Sequence, residues 1–345
     1  MLIVSSILKK LNVFLLLALM CCPSLFAQSL DIPASTWGIS FGNSKKFTGL
    51  RFNFRDRQVQ QVNGLNLTLW TPKDNEMSRI KGISFGIVPG GGTMTGLNLG
   101  IGGVGADKEL NGISIGLLGA GCGGKMSGIM IGGLGAGGGG EMTGLAFGGL
   151  GVGSGGDLKG IMVGGVGAGS GGNMSGIGIG LIGVGAGKDL TGLMIGGIGA
   201  GAGGNAKGII LGGVGAGAGG DFTGFGFGLV GVGCGGHLQG IAVGGVGAGA
   251  PEVTGLTIGG LGVGGHKYTG AALALGFVKI DNNGLFRGGA VSAFNYIKGE
   301  QRGITLGVVN YAYELHGIQI GLINYVRDNP LLLKIMPLIN FNFGN

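Results

Sequence analysis

The chain repeats one arrangement of apolar residues and glycines every 16 residues. The unit at residues 128–143, for example, reads Gly-Ile-Met-Ile-Gly-Gly-Leu-Gly-Ala-Gly-Gly-Gly-Gly-Glu-Met-Thr. Self-similarity at a fixed period is the signature of a repeat architecture. The glycine that begins each unit stands at Gly96, Gly112, Gly128, Gly144, Gly160, Gly176, Gly192, Gly208, Gly224 and Gly240, then at Gly255 and Gly270, with looser units at Gly64, Gly82, Gly303 and Gly317.

Apolar residues alternate within each unit, as at Ile129 and Ile131, and then change phase to Leu134 and Ala136. Alternation predicts β-strand. The change of phase at Gly132-Gly133 predicts a bend or bulge, because glycine accepts backbone angles that other residues refuse. A helix is disfavoured, since glycine costs about 1 kcal/mol per residue relative to alanine. The pattern therefore predicts an all-β fold.

The first architecture that fits is a glycine-rich β-solenoid in which each 16-residue unit forms one turn. Every turn has the same surroundings in such a stack, so a uniform period follows. We expect the glycines to form the corners and a flat outer face. The side chains expected to point inward are those of Ile129, Ile131, Leu134, Ala136 and Met142.

The alternative architecture is an outer-membrane β-barrel of roughly twenty strands, with one strand in each unit. The last segment, residues 337–343, alternates apolar and polar residues and ends near an aromatic residue, which is typical of a closing barrel strand. A barrel of that size normally has a polar lumen. Neither strand face of the array carries charge, and a two-unit period is weak, so we favour the solenoid.

Composition supports an ordered repeat rather than collagen or a flexible linker. The chain has 91 glycines but only 7 prolines, and hydrophobic residues make up 44% of it. Collagen needs glycine at every third position with abundant proline, and glycine-serine linkers are polar. The formal net charge is +7. The basic residues lie near the two ends and are interleaved with acids, so we do not expect a nucleic-acid partner.

The two ends of the chain differ from the array at residues 96–270. Residues 28–95 contain Trp37, Trp70 and a charged stretch at 51–57, and residues 271–345 are richer in tyrosine, asparagine and phenylalanine. Solenoids need atypical terminal turns, so we interpret residues 28–95 as an N-terminal cap region and the C-terminal units as the other cap. The alternative is that these ends recognise a partner, because exposed aromatics with arginine are common binding anchors.

The first residues have the pattern of an export signal. Lys9 and Lys10 precede an apolar run at residues 13–20, and Ala27 is a small residue at an expected cleavage site. The apolar run is too short for a stable membrane anchor. We predict a signal peptide at residues 1–27. The alternative is a lipoprotein that is cut before Cys21.

The sequence contains no recognisable catalytic or metal-binding constellation. None of His237, His266 and His316 has a partner at catalytic or metal-site spacing. Cys122 and Cys234 occupy the same offset in units seven repeats apart, which predicts unpaired thiols. Asp157, Asp189 and Asp221 recur at a turn position, but other units place Asn, Lys or Glu nearby, whereas calcium-binding repeats need aspartate at fixed offsets in successive units. We therefore expect no enzyme, no catalytic or cofactor-binding residue, no bound metal and no cofactor.

Two C-terminal units carry a motif that resembles a known class of proteins. Residues 303–311 read Gly-Ile-Thr-Leu-Gly-Val-Val-Asn-Tyr and residues 317–325 read Gly-Ile-Gln-Ile-Gly-Leu-Ile-Asn-Tyr. They are similar to the glycine-rich surface-repeat proteins of Gram-negative bacteria, which have G-[IL]-Q-I-G-L-x-N repeats behind a signal peptide. The resemblance implies a surface or outer-membrane location and no activity. The central units depart from the motif, with Gly-Gly in place of Gly-Leu and no asparagine.

Taken together, these patterns predict an exported repeat protein of the cell envelope or cell surface with a structural or adhesive role. Long solenoids offer extended faces rather than pockets. The expected partner is therefore an envelope component, a polymer or another copy of the chain, with association to the outer membrane. The alternative function is that of an outer-membrane barrel channel or scaffold.

Overall fold

A computed structural model describes residues 29–343 of the chain. The predicted signal peptide and the alternative lipid site at Cys21 lie outside these residues. The described part consists of β-strands, apart from short connections and one 3₁₀ turn at Leu331–Leu333. It is a β-solenoid of about 17 turns with a 16-residue repeat. The chain divides into two compact units, the first of which ends at Gly133 and the second of which begins at Leu134.

The first unit opens with an antiparallel pair of strands and continues with parallel pairing. Its strands are β1 (Leu30–Ala34), β2 (Trp37–Phe41), β3 (Lys46–Arg57), β4 (Gln61–Lys73), β5 (Arg79–Gly86), β6 (Gly90–Gly100), β7 (Gly103–Gly116), β8 (Gly119–Cys122) and β9 (Lys125–Gly132).

The second unit alternates a longer strand with a strand of three or four residues, until the strands lengthen near the C-terminus. Its strands are β10 (Gly135–Gly138), β11 (Met142–Gly148), β12 (Gly151–Ser154), β13 (Leu158–Gly164), β14 (Gly167–Ser170), β15 (Met174–Gly180), β16 (Gly183–Ala186), β17 (Leu190–Gly196), β18 (Gly199–Ala202), β19 (Ala206–Gly212), β20 (Gly215–Ala218), β21 (Phe222–Gly228), β22 (Gly231–Cys234), β23 (His237–Gly244), β24 (Gly247–Gly249), β25 (Glu252–Gly259), β26 (Gly262–Ala274), β27 (Phe277–Val291), β28 (Phe294–Leu306), β29 (Val309–Val326) and β30 (Ile335–Asn342).

Strand pairing confirms the solenoid. Each long strand of the array pairs in parallel with the strand one turn later, so that Gly144 is the register partner of Gly160, and Gly160 is the partner of Gly176. An up-and-down barrel needs antiparallel neighbours. The barrel expectation is therefore wrong. The segment at residues 337–343 belongs to β30, which pairs antiparallel with β29 at the end of the stack.

The glycine that begins each unit has a backbone angle that favours glycine. Gly160 has φ +121°, and a Cβ on it would lie 2.0 Å from the carbonyl oxygen of Gly144. Both the positive φ and the close approach of stacked backbones exclude larger residues here. The strict recurrence of this glycine thus follows from one contact that is repeated at every turn.

The interior holds fewer side chains than the sequence predicted. The prediction of which side chains point inward was partly wrong. Ala136 and Met142 are buried, as expected, with 2% exposure each. Ile131 and Leu134 are instead exposed, at 36% and 52%, and Ile129 is half-buried. Side chains alternate between the two faces of a strand. A residue three positions after a buried one, such as Leu145 after Met142, therefore faces outward, and Ala146 occupies the interior.

The asparagine of the C-terminal motif lies inside the stack. Asn295 donates a hydrogen bond of 2.7 Å from Nδ2 to Oδ1 of Asn310, and Asn310 donates one of the same length to Asn324. All three side chains are buried. Buried polar groups need such partners. In the preceding turns Val263 and Val278 hold the same register position, so the central units use apolar packing where the motif uses an asparagine ladder.

Candidate functional site

The most distinctive surface of the second unit is an exposed face made only of isoleucine, leucine, valine and phenylalanine. It is formed by the outer side of the long strands and the bend that follows them, over eight consecutive turns. We call it the apolar face. Its residues are Leu145, Ile161, Ile177, Leu193, Ile209, Phe225, Ile241 and Leu256; Phe147, Val163, Ile179, Ile195, Leu211, Phe227, Val243 and Ile258; and Leu150, Val166, Ile182, Ile198, Val214, Val230, Val246 and Leu261.

None of these side chains is buried. Leu261 is 61% exposed, Ile182 is 52% exposed and Phe147 is 40% exposed. Eight turns at ~4.8 Å and six residues at ~3.3 Å give a face of about 40 Å by about 20 Å, on the order of 800 Å². The largest apolar patch on a typical monomer covers roughly 300–600 Å², and larger ones mark interaction sites. The apolar face is therefore the leading candidate for function in this unit.

Charged residues of the second unit gather at the other bend of each turn, between a short strand and the next long strand. Here a ladder of side-chain acceptors links successive turns. The Asn173 amide nitrogen donates to Oδ1 of Asp157 at 2.9 Å, and the Asn205 amide nitrogen donates to Oδ1 of Asp189 at 2.7 Å. The bond from Asn173 holds the pKa of Asp157 below its usual value.

The ladder explains why aspartate recurs in alternate units. Asn173 and Asn205 occupy the intervening turns and accept the same bond, from the amides of Asp189 and Asp221 at 3.2 and 2.8 Å. Like charges directly opposite each other on neighbouring strands are destabilising. From Asp157 to Asp221, alternation with a neutral acceptor keeps the aspartates two turns apart while each turn keeps its bond.

Ion pairs lie along the same bend. Lys159 donates to Glu141 at 2.9 Å, and Lys267 donates to Glu252 at 2.8 Å. These bonds raise the pKa of Lys159 and lower that of Glu252. All four side chains are substantially exposed. Exposed ion pairs contribute little stability, so this bend is best described as a solvated polar edge.

Two of the three histidines, His237 and His316, have polar side-chain contacts. His237 lies on the polar edge, where its Nε2 is 2.8 Å from the hydroxyl of Thr254. His316 Nδ1 lies 3.2 Å from Oε1 of Glu300, and Glu314 completes a group whose ligand atoms lie within 4.8 Å of one another. Two carboxylates and an imidazole are a possible divalent-cation set. The guanidinium of Arg302 already contacts the Glu300 carboxylate and balances its charge.

Sequence spacing alone did not indicate this cluster. Glu300 and Glu314 are 14 residues apart, and they become neighbours only because β28 and β29 pair in register. The same register aligns Arg302 with His316. A comparison of residues one solenoid turn apart in the sequence could have identified this group.

In the first unit, the charged stretch at residues 51–57 divides between the interior and the surface. Arg51 is fully buried and contacts the carboxylate of Asp56, while its Nη1 donates to Oδ1 of Asn66 at 2.7 Å. Asn66 in turn donates to Oδ2 of Asp56 at 2.9 Å. This buried network stabilises the turn and leaves Arg55 and Arg57 exposed. Of the charged residues in this stretch, Arg55 and Arg57 are the ones available for recognition.

The two cysteines are free thiols. Cys122 is buried and Cys234 is half-buried. Burial raises the pKa of both thiols, so both are poor nucleophiles at neutral pH.

Within residues 29–343 no helix is long and apolar enough to cross a bilayer. A comparison of the chain with known protein families, characterised proteins and solved structures found no match.

Proposed function

We propose that this chain is an exported structural protein of the cell envelope that associates with lipid through its apolar face. The observation that carries the proposal is the uninterrupted set of 24 apolar side chains in three columns, none of them buried. A role of this kind requires binding and needs no catalytic residue.

The dimensions of the face support association with an extended apolar phase. Burial of about 800 Å² at ~25 cal/mol per Å² corresponds to a gross free energy of about 20 kcal/mol. That value exceeds the ~4–15 kcal/mol cost of association. The polar edge, which carries both signs of charge, would remain in water. This division between an apolar face and a charged edge is the one used by proteins that lie in a membrane interface.

Export belongs to the same proposal and rests on the pattern at residues 1–27. We expect protein isolated from the cell envelope to begin at Gln28, as intact-mass measurement would show. A chain that retains Met1, or one that begins at a lipid-modified Cys21, would contradict cleavage after Ala27.

Vesicle flotation tests the lipid contact. We expect the purified chain to float with phospholipid vesicles and to need detergent, rather than high salt, for release. Ile182→Glu with Val230→Glu should abolish flotation, because both residues lie in the apolar face and a carboxylate there would have to be desolvated. Thr143→Glu with Thr191→Glu is the matched control, since both threonines are exposed next to the polar edge, where their register partners Lys159 and Lys207 already carry charge.

Two outcomes would overturn the lipid assignment. Flotation that is unchanged by the Ile182 and Val230 substitutions would show that another surface holds the vesicle. A chain that does not float, but sediments as an oligomer that these substitutions dissociate, would show that the apolar face pairs with a second copy instead.

A further inference from the structure

The first unit contains an apolar groove on the outer side of its strands. We call it the aromatic groove. Its walls come from β3, β4, β5 and the residues that follow them, and its volume is about 450 Å³, which falls in the range of small-molecule sites. The residues that form the walls are Phe52, Phe54, Leu67, Leu69, Phe85 and Ile87.

Strand register builds the groove before any ligand arrives. Phe52, Leu67 and Phe85 are register partners on three successive strands, so their side chains line up on the outer face. Phe41 stacks on Phe52 with ring centroids 5.3 Å apart, which fixes one end of this row. Gly86 also borders the groove, and a Cβ there would lie 1.9 Å from the carbonyl oxygen of Thr68. A larger residue at this position would therefore disturb the backbone stacking that supports the groove.

The walls offer little to a polar ligand. Asn53 and Thr68 are the polar side chains among the lining residues. The Asn53 amide already donates to Oδ1 of Asp56 at 2.8 Å, and Thr68 is 2% exposed. Phe54 and Leu69, by contrast, are 66% and 61% exposed. An unbranched alkyl chain would cover these apolar groups without leaving a polar atom of its own unpaired.

Positive charge lies beside Phe54, one of the wall residues. Arg55 directly follows Phe54, and its Nε donates to the carbonyl oxygen of Thr71 at 2.9 Å. Among residues 29–343, neither Arg55 nor Lys73 has an acidic partner within 4.0 Å. The nearby carboxylates are engaged, because Asp56 is buried against Arg51 and Asp74 lies 3.9 Å from Arg57. This arrangement complements an anionic head group.

We propose that the aromatic groove binds a long-chain fatty acid, with the alkyl chain on the phenylalanine and leucine walls and the carboxylate at Arg55. One groove of this size suits a single chain. The inference does not depend on lipid association of the apolar face, because the two sites share no residue and different substitutions test them.

Trp70 provides an intrinsic reporter. It is adjacent to Leu69, is the register partner of Arg55 and is 48% exposed. The chain has two tryptophans, so Trp37→Phe leaves Trp70 as the single tryptophan. We expect a brominated fatty acid to quench Trp70 in a saturable manner below its micellar concentration, and the unbrominated acid to relieve the quenching by competition.

Substitutions distinguish a specific binding site from non-specific adsorption. Leu69→Ser should weaken fatty-acid binding about tenfold or more, because a wall side chain is lost. Leu275→Ser removes a comparably exposed leucine of the second unit and should leave binding unchanged. Arg55→Gln should weaken binding of the acid but not of the corresponding brominated alcohol. Circular dichroism checks that each variant is folded.

Several results would overturn the proposal. Quenching that does not saturate, or that Leu275→Ser reduces as much as Leu69→Ser does, would mean general adsorption to apolar surface. Equal affinity for acid and alcohol in the parent chain would remove the role of Arg55. Quenching by brominated phospholipid vesicles, with none by the free acid, would assign the groove to a bilayer instead. Flotation of the Leu69→Ser variant at the parent level would leave the function of the apolar face intact.

Discussion

A Cβ atom on Gly164 would lie 1.9 Å from the carbonyl oxygen of Gly167, at the bend that joins β13 to β14. Gly164 does not have a positive φ, so close backbone approach is what demands glycine here. The equivalent residue Gly148 has the same contact with Gly151, at 2.0 Å. Each turn of the array thus closes on a point where a side chain cannot fit.

Replacement of Gly164 by valine should therefore destabilise the fold. We expect a loss of about 3 kcal/mol, as for severe overpacking, because the backbone atoms in the way cannot rotate aside. Gly169→Ala is the control, since its Cβ would lie 3.8 Å from the nearest atom, the carbonyl oxygen of Gly185. That substitution should be neutral or slightly stabilising through the unfolded chain. Thermal melts that are equal for the two variants would contradict the stacking geometry.

The side-chain ladder predicts a difference between two substitutions of Asp189. Asp189→Asn keeps an oxygen that accepts the 2.7 Å bond from the Asn205 amide. Asp189→Ala removes this oxygen, so the Asn205 amide bonds to water instead. The free energy of unfolding should fall by about 1 kcal/mol or less. Chemical denaturation should therefore place the asparagine variant close to the parent and the alanine variant below it. The reverse order would show that charge, rather than hydrogen bonding, selects aspartate.

The pKa of Asp157 predicts part of the acid sensitivity. Because this pKa is lowered in the folded chain, the carboxylate stabilises the fold at pH values above its unfolded pKa of about 3.9. That contribution is lost as pH falls through the lower, folded value. Asp157→Asn should therefore lower the melting temperature slightly at neutral pH and flatten its decline below about pH 4, so that the two chains converge in acid. An unchanged acid profile would refute the assignment.

The thiols should react slowly in the folded chain. Burial raises the pKa of Cys122 and of Cys234, so the reactive thiolate is scarce at neutral pH. We expect iodoacetamide to label both cysteines several times faster after unfolding, as mass spectrometry would show. Replacement of either by alanine should change the melting temperature little, because Ala186 and Ala202 already hold the equivalent position in other turns. Fast labelling of the native chain would contradict the buried placement.

Sequence reasoning identified the period, the strands and the bends, because each repeats at every turn and is visible in any one unit. It misassigned the inner and outer faces. Ile129 and Ile131 are more hydrophobic than Met130, which suggested that they were buried, yet Met130 is 1% exposed and Ile131 is 36% exposed. Alternation defines two faces but does not say which one is inside. The buried position takes residues as different as Gly178, Met194 and Ile210 in successive turns, so hydrophobicity alone does not identify it.

The candidate sites were harder to predict for the same reason. The apolar face was missed because its residues were assigned to the core. The aromatic groove lies in a region that was marked for a possible recognition role through Trp70 and the stretch at residues 51–57. Arg51 and Arg55 share the same phase of the strand, yet Arg51 is buried and Arg55 is exposed, because the strand becomes irregular between Arg55 and Arg57. Local spacing carries no information about such a choice.

Deletion of whole turns gives the sharpest test of the architecture. Removal of residues 160–191 excises two turns, so that Gly144 would meet Gly192 in the register that Gly160 now occupies. The Asp and Asn alternation of the polar edge is also preserved, because it repeats every two turns. A solenoid is stabilised by contacts between neighbouring turns, so we expect a folded, shorter chain with a similar melting temperature. Removal of residues 176–183 cuts half a turn, sets long strands against short ones and should abolish cooperative melting. If both deletions melt alike, register between turns does not hold the fold together.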